Sequence, residues 1–258
     1  MILNPTCAAC GAKDWEILGK LQYTRDTVHK TPYLKVRQEV LFECWFPGTS
    51  NVSLHPILCK QCGFLCYKPR PESEDIANKY AYITQHESGA GEFSATKQSD
   101  VPRSRALYSY LHKLLKPGAN SILDYGGGNG RLLGDFVGAG HRCETMDLVA
   151  ETVEGVIYAG SHPSELQNRP SYDLIICSHV LEHLADPLSM LTELRQHVGE
   201  SGLIYVEVPS EIWNRVPLGP DPVTHINFFT TDSLSALLAN AGLDIVCCHY
   251  DTFISPSM

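Results

Sequence analysis

The chain has 258 residues, 43% of them hydrophobic and 19% charged, and carries a formal net charge of −9 from 20 Lys+Arg against 29 Asp+Glu. This is a globular composition, and the acidic balance, with no long basic block, disfavours a nucleic-acid backbone as partner. No apolar run nears the roughly 20 residues that cross a bilayer, and Met1 to Cys7 is no secretory leader, so a cytoplasmic protein of one ordinary domain plus a small one is expected.

Ten cysteines are present, and four fall into near-copies, Cys7-Ala-Ala-Cys10-Gly11 and Cys59-Lys-Gln-Cys62-Gly63. Each Cys-x-x-Cys turn aims two thiolates at one point, and two such turns close a tetrahedral four-sulfur site suited to Zn2+. A redox dithiol needs only one pair. Four thiolates leave no open position for a substrate, so the metal is expected to be structural. The insertion between the pairs reads as ribbon strands at Ile17 to Tyr23, Leu34 to Trp45 and Val52 to Leu58, punctuated by Pro32, Pro47 and Gly48.

From Tyr67 the chain leaves the ribbon, and a helix is expected from Ser73 or Glu74 to about Tyr82. Thr84 to Pro102 is polar and reads as a loop or lid. A helix then runs from Ser104 to Leu115, with Leu107, Leu111 and Leu114 on one stripe and Pro117-Gly118 as its stop.

The stretch Ile122-Leu-Asp-Tyr-Gly-Gly-Gly-Asn-Gly-Arg131 reads as strand, tight loop, helix. Glycine permits positive φ and close approach to bare backbone, and N–H groups at a helix start suit an anionic group. A phosphate-cradling loop requires Gly-Lys-Ser/Thr, whereas Gly130 precedes Arg131 and Leu132. The dinucleotide spacing G-x-G-x-x-G/A also fails, because Arg131 stands three residues after Gly128. What remains is D-x-G-x-G-x-G, or a glycine-rich turn with no ligand.

Further strands are expected at His141 to Asp147, Val156 to Ala159, Tyr172 to Cys177, Gly202 to Val208 and Leu243 to Tyr250, with helices at Pro187 to His197 and Thr231 to Ala241. That alternation predicts an α/β fold, a doubly wound Rossmann-like sheet with ligands at the carboxyl ends of its strands. Asp147, at the end of the second strand, is placed to accept hydrogen bonds from two ribose hydroxyls.

Asp124, Gly126, Gly128 and Gly130 resemble the first motif of class I S-adenosylmethionine (SAM) methyltransferases. Ser178-His-Val-Leu-Glu-His-Leu-Ala-Asp-Pro187 is similar to that family's motif after the fourth strand. With the cysteine pairs in front, the chain resembles the zinc-containing nucleotide-sugar C-methyltransferases, without a counterpart of their carboxyl-terminal domain. The resemblance implies SAM at Asp124, Gly126, Gly128, Gly130 and Asp147, bordered by Ser178 and His179. It also implies an adenine contact from Ser161 or His162, and a further, antiparallel strand. Histidines at positions matching His183 and His225, and a bridge tyrosine, Tyr80 or Tyr82, belong to the active site in that family. Histidine titrates near neutrality and is the natural general base for a hydroxyl or carbon acid.

These readings divide the chain into a zinc ribbon (1–70), a linker or lid (71–103) and a SAM methyltransferase domain (104–258). The expected reaction is methyl transfer to a small hydroxylated molecule, a sugar nucleotide or natural-product intermediate. The alternatives are an RNA methyltransferase gripping RNA with the ribbon, and an inactive SAM- or zinc-binding interaction module.

Overall fold

A computed structural model of the chain describes residues 1–86, 97–148, 150–213, 216–217 and 221–251. In chain order the elements are β1 (Trp15–Ile17), β2 (Leu21–Thr24), α1 (Pro32–Glu39) running into a π-helical turn (Val40–Trp45), β3 (Asn51–Cys59), β4 (Leu65–Lys68), α2 (Ser73–His86) and α3 (Lys97–Leu111). Then come β5 (Ser121–Tyr125), a 3-10 turn (Arg131–Leu133) leading into α4 (Gly134–Gly138), β6 (Arg142–Met146), β7 (Val156–Gly160), β8 (Tyr172–Ser178), a second 3-10 turn (Leu181–His183) and α5 (Pro187–Arg195). The described chain closes with β9 (Val198–Glu207), the paired strands β10 (Ile212–Trp213) and β11 (Val216–Pro217), β12 (Asn227–Phe228) and α6 (Thr231–Asn240).

The chain forms two compact units, each discontinuous in sequence. The first comprises Met1–Gly89, Leu181–Ser189 and Pro209–Tyr250, and the second Ala90–Val180, Met190–Val208 and Asp251–Met258. These divisions differ from those read at 70 and 103, because a stretch carrying β12 and α6 returns to the cysteine-bearing unit.

The first unit is built on an antiparallel sheet in the order β1-β3-β4-β12, with β2 also paired to β3. Along β3 burial alternates, Val52 and Leu54 facing a core shared with Phe42, Trp45, Tyr67 and Ile76. β12 joins the other edge with Asn227 opposite Cys66 and Phe228 opposite Leu65. Ring packing reinforces this join: Tyr67 meets Phe228 edge to face at 5.5 Å, and Phe64 meets Phe229 at 5.3 Å.

The second unit holds a five-stranded parallel sheet ordered β7-β6-β5-β8-β9. β8 is buried almost throughout, as expected of a central strand covered on both faces. Leu107 and Leu111 of α3 and Phe136 of α4 pack with Ile122, Leu174 and Ile176. Strand order reverses between β5 and β8, so the crevice at the carboxyl ends of those two strands is where such sheets take ligands.

Three expectations are corrected. Leu34 to Trp45 is helical, because Thr31 caps it, its Oγ1 accepting from Leu34 N at 3.3 Å, and Pro32 occupies the first turn. Leu243 to Tyr250 forms no strand: Val246 and Tyr250 are exposed and the segment has no ladder partner among the described residues. Within the expected loop, residues 84–86 complete α2 and 97–102 begin α3, which accommodates Pro102. Residues 87–96, on which the rest of the expected lid falls, lie outside the described residues.

Candidate functional site

The two cysteine pairs form matching turns. Gly11 N donates to Cys7 O and Gly63 N to Cys59 O, each at 2.9 Å, and both glycines sit at φ +76°, a left-handed conformation that a side chain would strain. Cys7 and Cys62 sulfurs are 3.6 Å apart and Cys10 and Cys59 sulfurs 3.5 Å, with all four inside 4.8 Å of one another. A tetrahedral Zn–S shell with bonds of about 2.3 Å has sulfur separations of about 3.8 Å. Cys7, Cys10, Cys59 and Cys62 therefore have the donor set and spacing to hold Zn2+. Burial pushes the Cys62 thiol up to about 12, so a metal entering here displaces protons. α6 braces both turns, Thr230 Oγ1 donating to Cys62 O at 3.4 Å and Asn240 Nδ2 to Ala9 O at 2.8 Å.

In the second unit the glycine loop follows β5 directly. Gly126, Gly128 and Gly130 have φ of +71°, +57° and +80°. A Cβ on Gly126 would stand 2.4 Å from the Val180 side chain, and one on Gly130 2.6 Å from that of Val156. These glycines answer first to packing within the protein. The loop is pinned to β6: Gly126 N donates to Met146 O at 2.8 Å, Thr145 Oγ1 to Gly128 O at 3.2 Å, and Gly128 N to Asp147 Oδ2 at 2.9 Å. Asp147 and the loop are thus side by side at the ends of neighbouring strands.

Asp124 is buried, and its Oδ2 has no hydrogen-bond partner among the described residues. Burial raises its pKa to about 7, opposed by Arg103 and assisted by Asp147. A buried acceptor in that state fits a cationic donor, and SAM carries an α-ammonium group. Ser161 directs both its N–H and hydroxyl to Glu165 Oε1, at 2.8 and 3.1 Å, which locks the turn after β7.

Ser178 ends β8 inside a network that sequence reading missed. Its hydroxyl donates to Glu207 Oε2 at 2.6 Å, while Arg103 Nη2 donates to Ser178 Oγ at 2.6 Å and Glu207 Oε2 at 2.8 Å. Burial alone would raise Glu207, but these bonds and the nearby charges hold it below the usual carboxylate range. Exposed His179 takes φ +56° and donates its N–H to Glu207 O at 2.9 Å.

His183 and His225 come together in the first unit, their rings 4.8 Å apart. His183 Nδ1 donates to the Thr224 carbonyl at 2.8 Å, which fixes its neutral tautomer. Burial lowers its pKa to about 4, against the pull of Glu182, whose Oε1 lies 3.8 Å from Nε2. His225 differs. Burial would lower it too, but Glu211 Oε2, 2.6 Å from Nδ1, and the charge of Glu182 outweigh that and raise its pKa.

Buried Lys79 on α2 donates to Val223 O at 2.9 Å and Thr224 O at 3.1 Å, holding the turn before His225. Its ammonium lies 4.9 Å from the Tyr80 ring centroid, whereas Tyr82 reaches Glu39 and stacks on His86. Two imidazoles with proton affinities pushed apart form an arrangement suited to acid–base work. Lys79 and Glu211 carried no motif; a charge beside Tyr80 was the only signal for the first.

Residues 99–248, more than half the chain, match the family described as "Methyltransferase domain". The chain belongs to this methyltransferase family. This methyltransferase is similar to "Ubiquinone biosynthesis O-methyltransferase" of Rickettsia prowazekii (strain Madrid E), 29% identical over 117 residues covering 41% of the chain and 44% of the relative. The corresponding protein of Rickettsia typhi (strain ATCC VR-144 / Wilmington) is 27% identical over 117 residues, 41% of this chain and 45% of that one. The methyltransferase chain thus spans less than half the length of these curated relatives. Among solved structures, SAM-bound CalS10, an amino pentose methyltransferase from Micromonospora echinaspora, is 17% identical, with 44% of this chain and 52% of that one covered at a TM-score of 0.38. The plantazolicin methyltransferase BpumL in complex with SAH is 16% identical, with coverage of 54% and 62% and a TM-score of 0.42.

Proposed function

We propose that the protein is a SAM-dependent methyltransferase acting on a small hydroxylated molecule, a sugar nucleotide or natural-product intermediate. The observation that carries this is the Gly128 N to Asp147 Oδ2 bond of 2.9 Å, which joins the glycine loop and the strand-end acid into one seat beside the point where strand order reverses. In this reading Asp124, Gly126, Gly128, Gly130 and Asp147 hold the cofactor, and Ser161, Ser178 and His179 border it. When bound, SAM supplies a methyl group on an activated sulfonium. The Oδ2 of Asp124, which has no hydrogen-bond partner among the described residues, is a ready acceptor for its ammonium group.

His225 is the proposed general base. Its Nδ1 faces Glu211, so the lone pair of the neutral ring lies on Nε2, where it takes a proton from the acceptor. His183, neutral and bound to Thr224 O, and Tyr80, beside Lys79, shape and orient that environment. Cys7, Cys10, Cys59 and Cys62 hold a structural Zn2+ in the same proposal. The relatives' name as O-methyltransferases supports a hydroxyl acceptor, and the net charge of −9 supports a small molecule over nucleic acid.

The test is SAM binding by calorimetry on the purified chain. Binding is expected in the wild type and a loss of 100-fold or more in affinity, about 2.7 kcal/mol, for Asp124→Ala and Gly128→Val. Affinity unchanged in both variants overturns the cofactor site.

A further inference from the structure

We infer that Glu211 is a positioning residue for His225, fixing which ring nitrogen carries the proton and holding the charged imidazolium formed when the base accepts one. This rests on the proposed role of His225 and deepens it.

Glu211 immediately precedes β10, whose pairing with β11 is antiparallel, Ile212 opposite Pro217 and Trp213 opposite Val216. That ladder fixes the backbone beside the carboxylate. Its Oε2 lies 2.6 Å from His225 Nδ1, in the range of a charge-assisted hydrogen bond. A carboxylate there accepts only, so Nδ1 must be the protonated nitrogen and Nε2 carries the lone pair of the neutral ring. Both side chains are largely enclosed, 22% and 28% exposed, so solvent screens the pair less than it would a surface pair.

The other charged and titratable groups around the ring do not replace it. Glu182, on the turn Leu181–His183, contributes a weaker attraction, and the Lys79 ammonium of α2 opposes protonation. His183 is tied through Nδ1 to Thr224 O and largely enclosed, so it stays neutral where His225 takes up a proton. Glu211 supplies, through its hydrogen bond and its charge, the two largest influences opposing burial. A proton gained at Nε2 during turnover therefore remains on the His225–Glu211 pair until solvent removes it, without passing to His183.

The experiment is a histidine-ring NMR titration of the full, zinc-loaded chain, with the His225 signal assigned by its loss in His225→Gln. In the wild type, ring nitrogen shifts are expected to show the neutral tautomer protonated at Nδ1. Glu211→Gln is expected to move the His225 midpoint down by about one pH unit or more, and Glu211→Asp to restore part of it. An unmoved midpoint in Glu211→Gln overturns the inference. So does a wild-type His225 protonated at Nε2, a reading that needs no variant to fold. Calorimetry with SAM on the same samples separates the two claims: a wild type that binds no SAM defeats the proposed function and leaves the Glu211 result standing, whereas intact SAM binding with an unmoved midpoint defeats Glu211 alone.

Discussion

Asp124 shows how a single side chain is held at a cost in stability. Its carboxyl is buried without a hydrogen-bond partner among the described residues, and its pKa rises from 3.8 to about 7. A folded pKa above the unfolded one means that stability is fully present below the unfolded value and is lost as pH rises through about 7. Asp124→Asn removes that loss, so its unfolding midpoint is expected to exceed the wild type's at pH 8 and to equal it near pH 4. The same variant is expected to lose SAM affinity, while wild-type affinity strengthens as pH rises from 6 to 8 because a cationic ligand favours the ionised carboxylate. Thermal scans and calorimetry across that range check both, and a variant less stable at pH 8 would count against a strained carboxylate. At this scale the placement of Asp124 and Asp147 beside the glycine loop was legible, because each stands at the close of an apolar strand. Glu211 and Arg103 were not: Glu211 lies fourteen positions from His225 in sequence, and only the folded backbone brings its carboxylate to Nδ1.

Among the elements, α6 connects the cysteine turns to the segment that carries His225. Thr230 caps this helix, accepting from Ser233 N at 3.2 Å and completing a capping box with Ser233, and it also donates to Cys62 O. Thr230→Ala removes both bonds and is expected to cost about 1–2 kcal/mol, read as a lower denaturant midpoint in chemical unfolding, with SAM affinity unchanged. A midpoint equal to the wild type's would show that the cap contributes nothing to this unit. α1 illustrates a different lesson. Aromatic and β-branched residues between Leu34 and Trp45 suggested a strand, but Thr31-Pro32 is a helix start, and Val36 and Val40, one turn apart, both face inward. The cap outweighed composition. Polarity misled in the opposite sense, since α3 begins at Lys97 and takes Pro102 inside it, ahead of the expected start at Ser104.

Across the whole molecule, the paired cysteine turns bring together segments 48 residues apart, so a metal bound there would add directly to folding free energy. About one zinc per chain is expected by elemental analysis. Removing it with a strong chelator is expected to lower the melting temperature. A metal-free chain with an unaltered melting profile would remove the structural role. No helix among the described residues is long and apolar enough to cross a membrane. The sequence by itself determined the cysteine turns, the glycine loop, the parallel strands β5 to β9 and the acids at their ends, because Cys-x-x-Cys spacing, positive φ at glycine and apolar runs are local demands written in contiguous residues. Only the tertiary structure decided that Asn227–Phe228 completes the cysteine-bearing sheet, that His179 and His183, four positions apart, belong to different units, and that His225 pairs with Glu211. Those outcomes depend on which distant edges and charges satisfy one another once the chain is packed, and no local pattern encodes that choice.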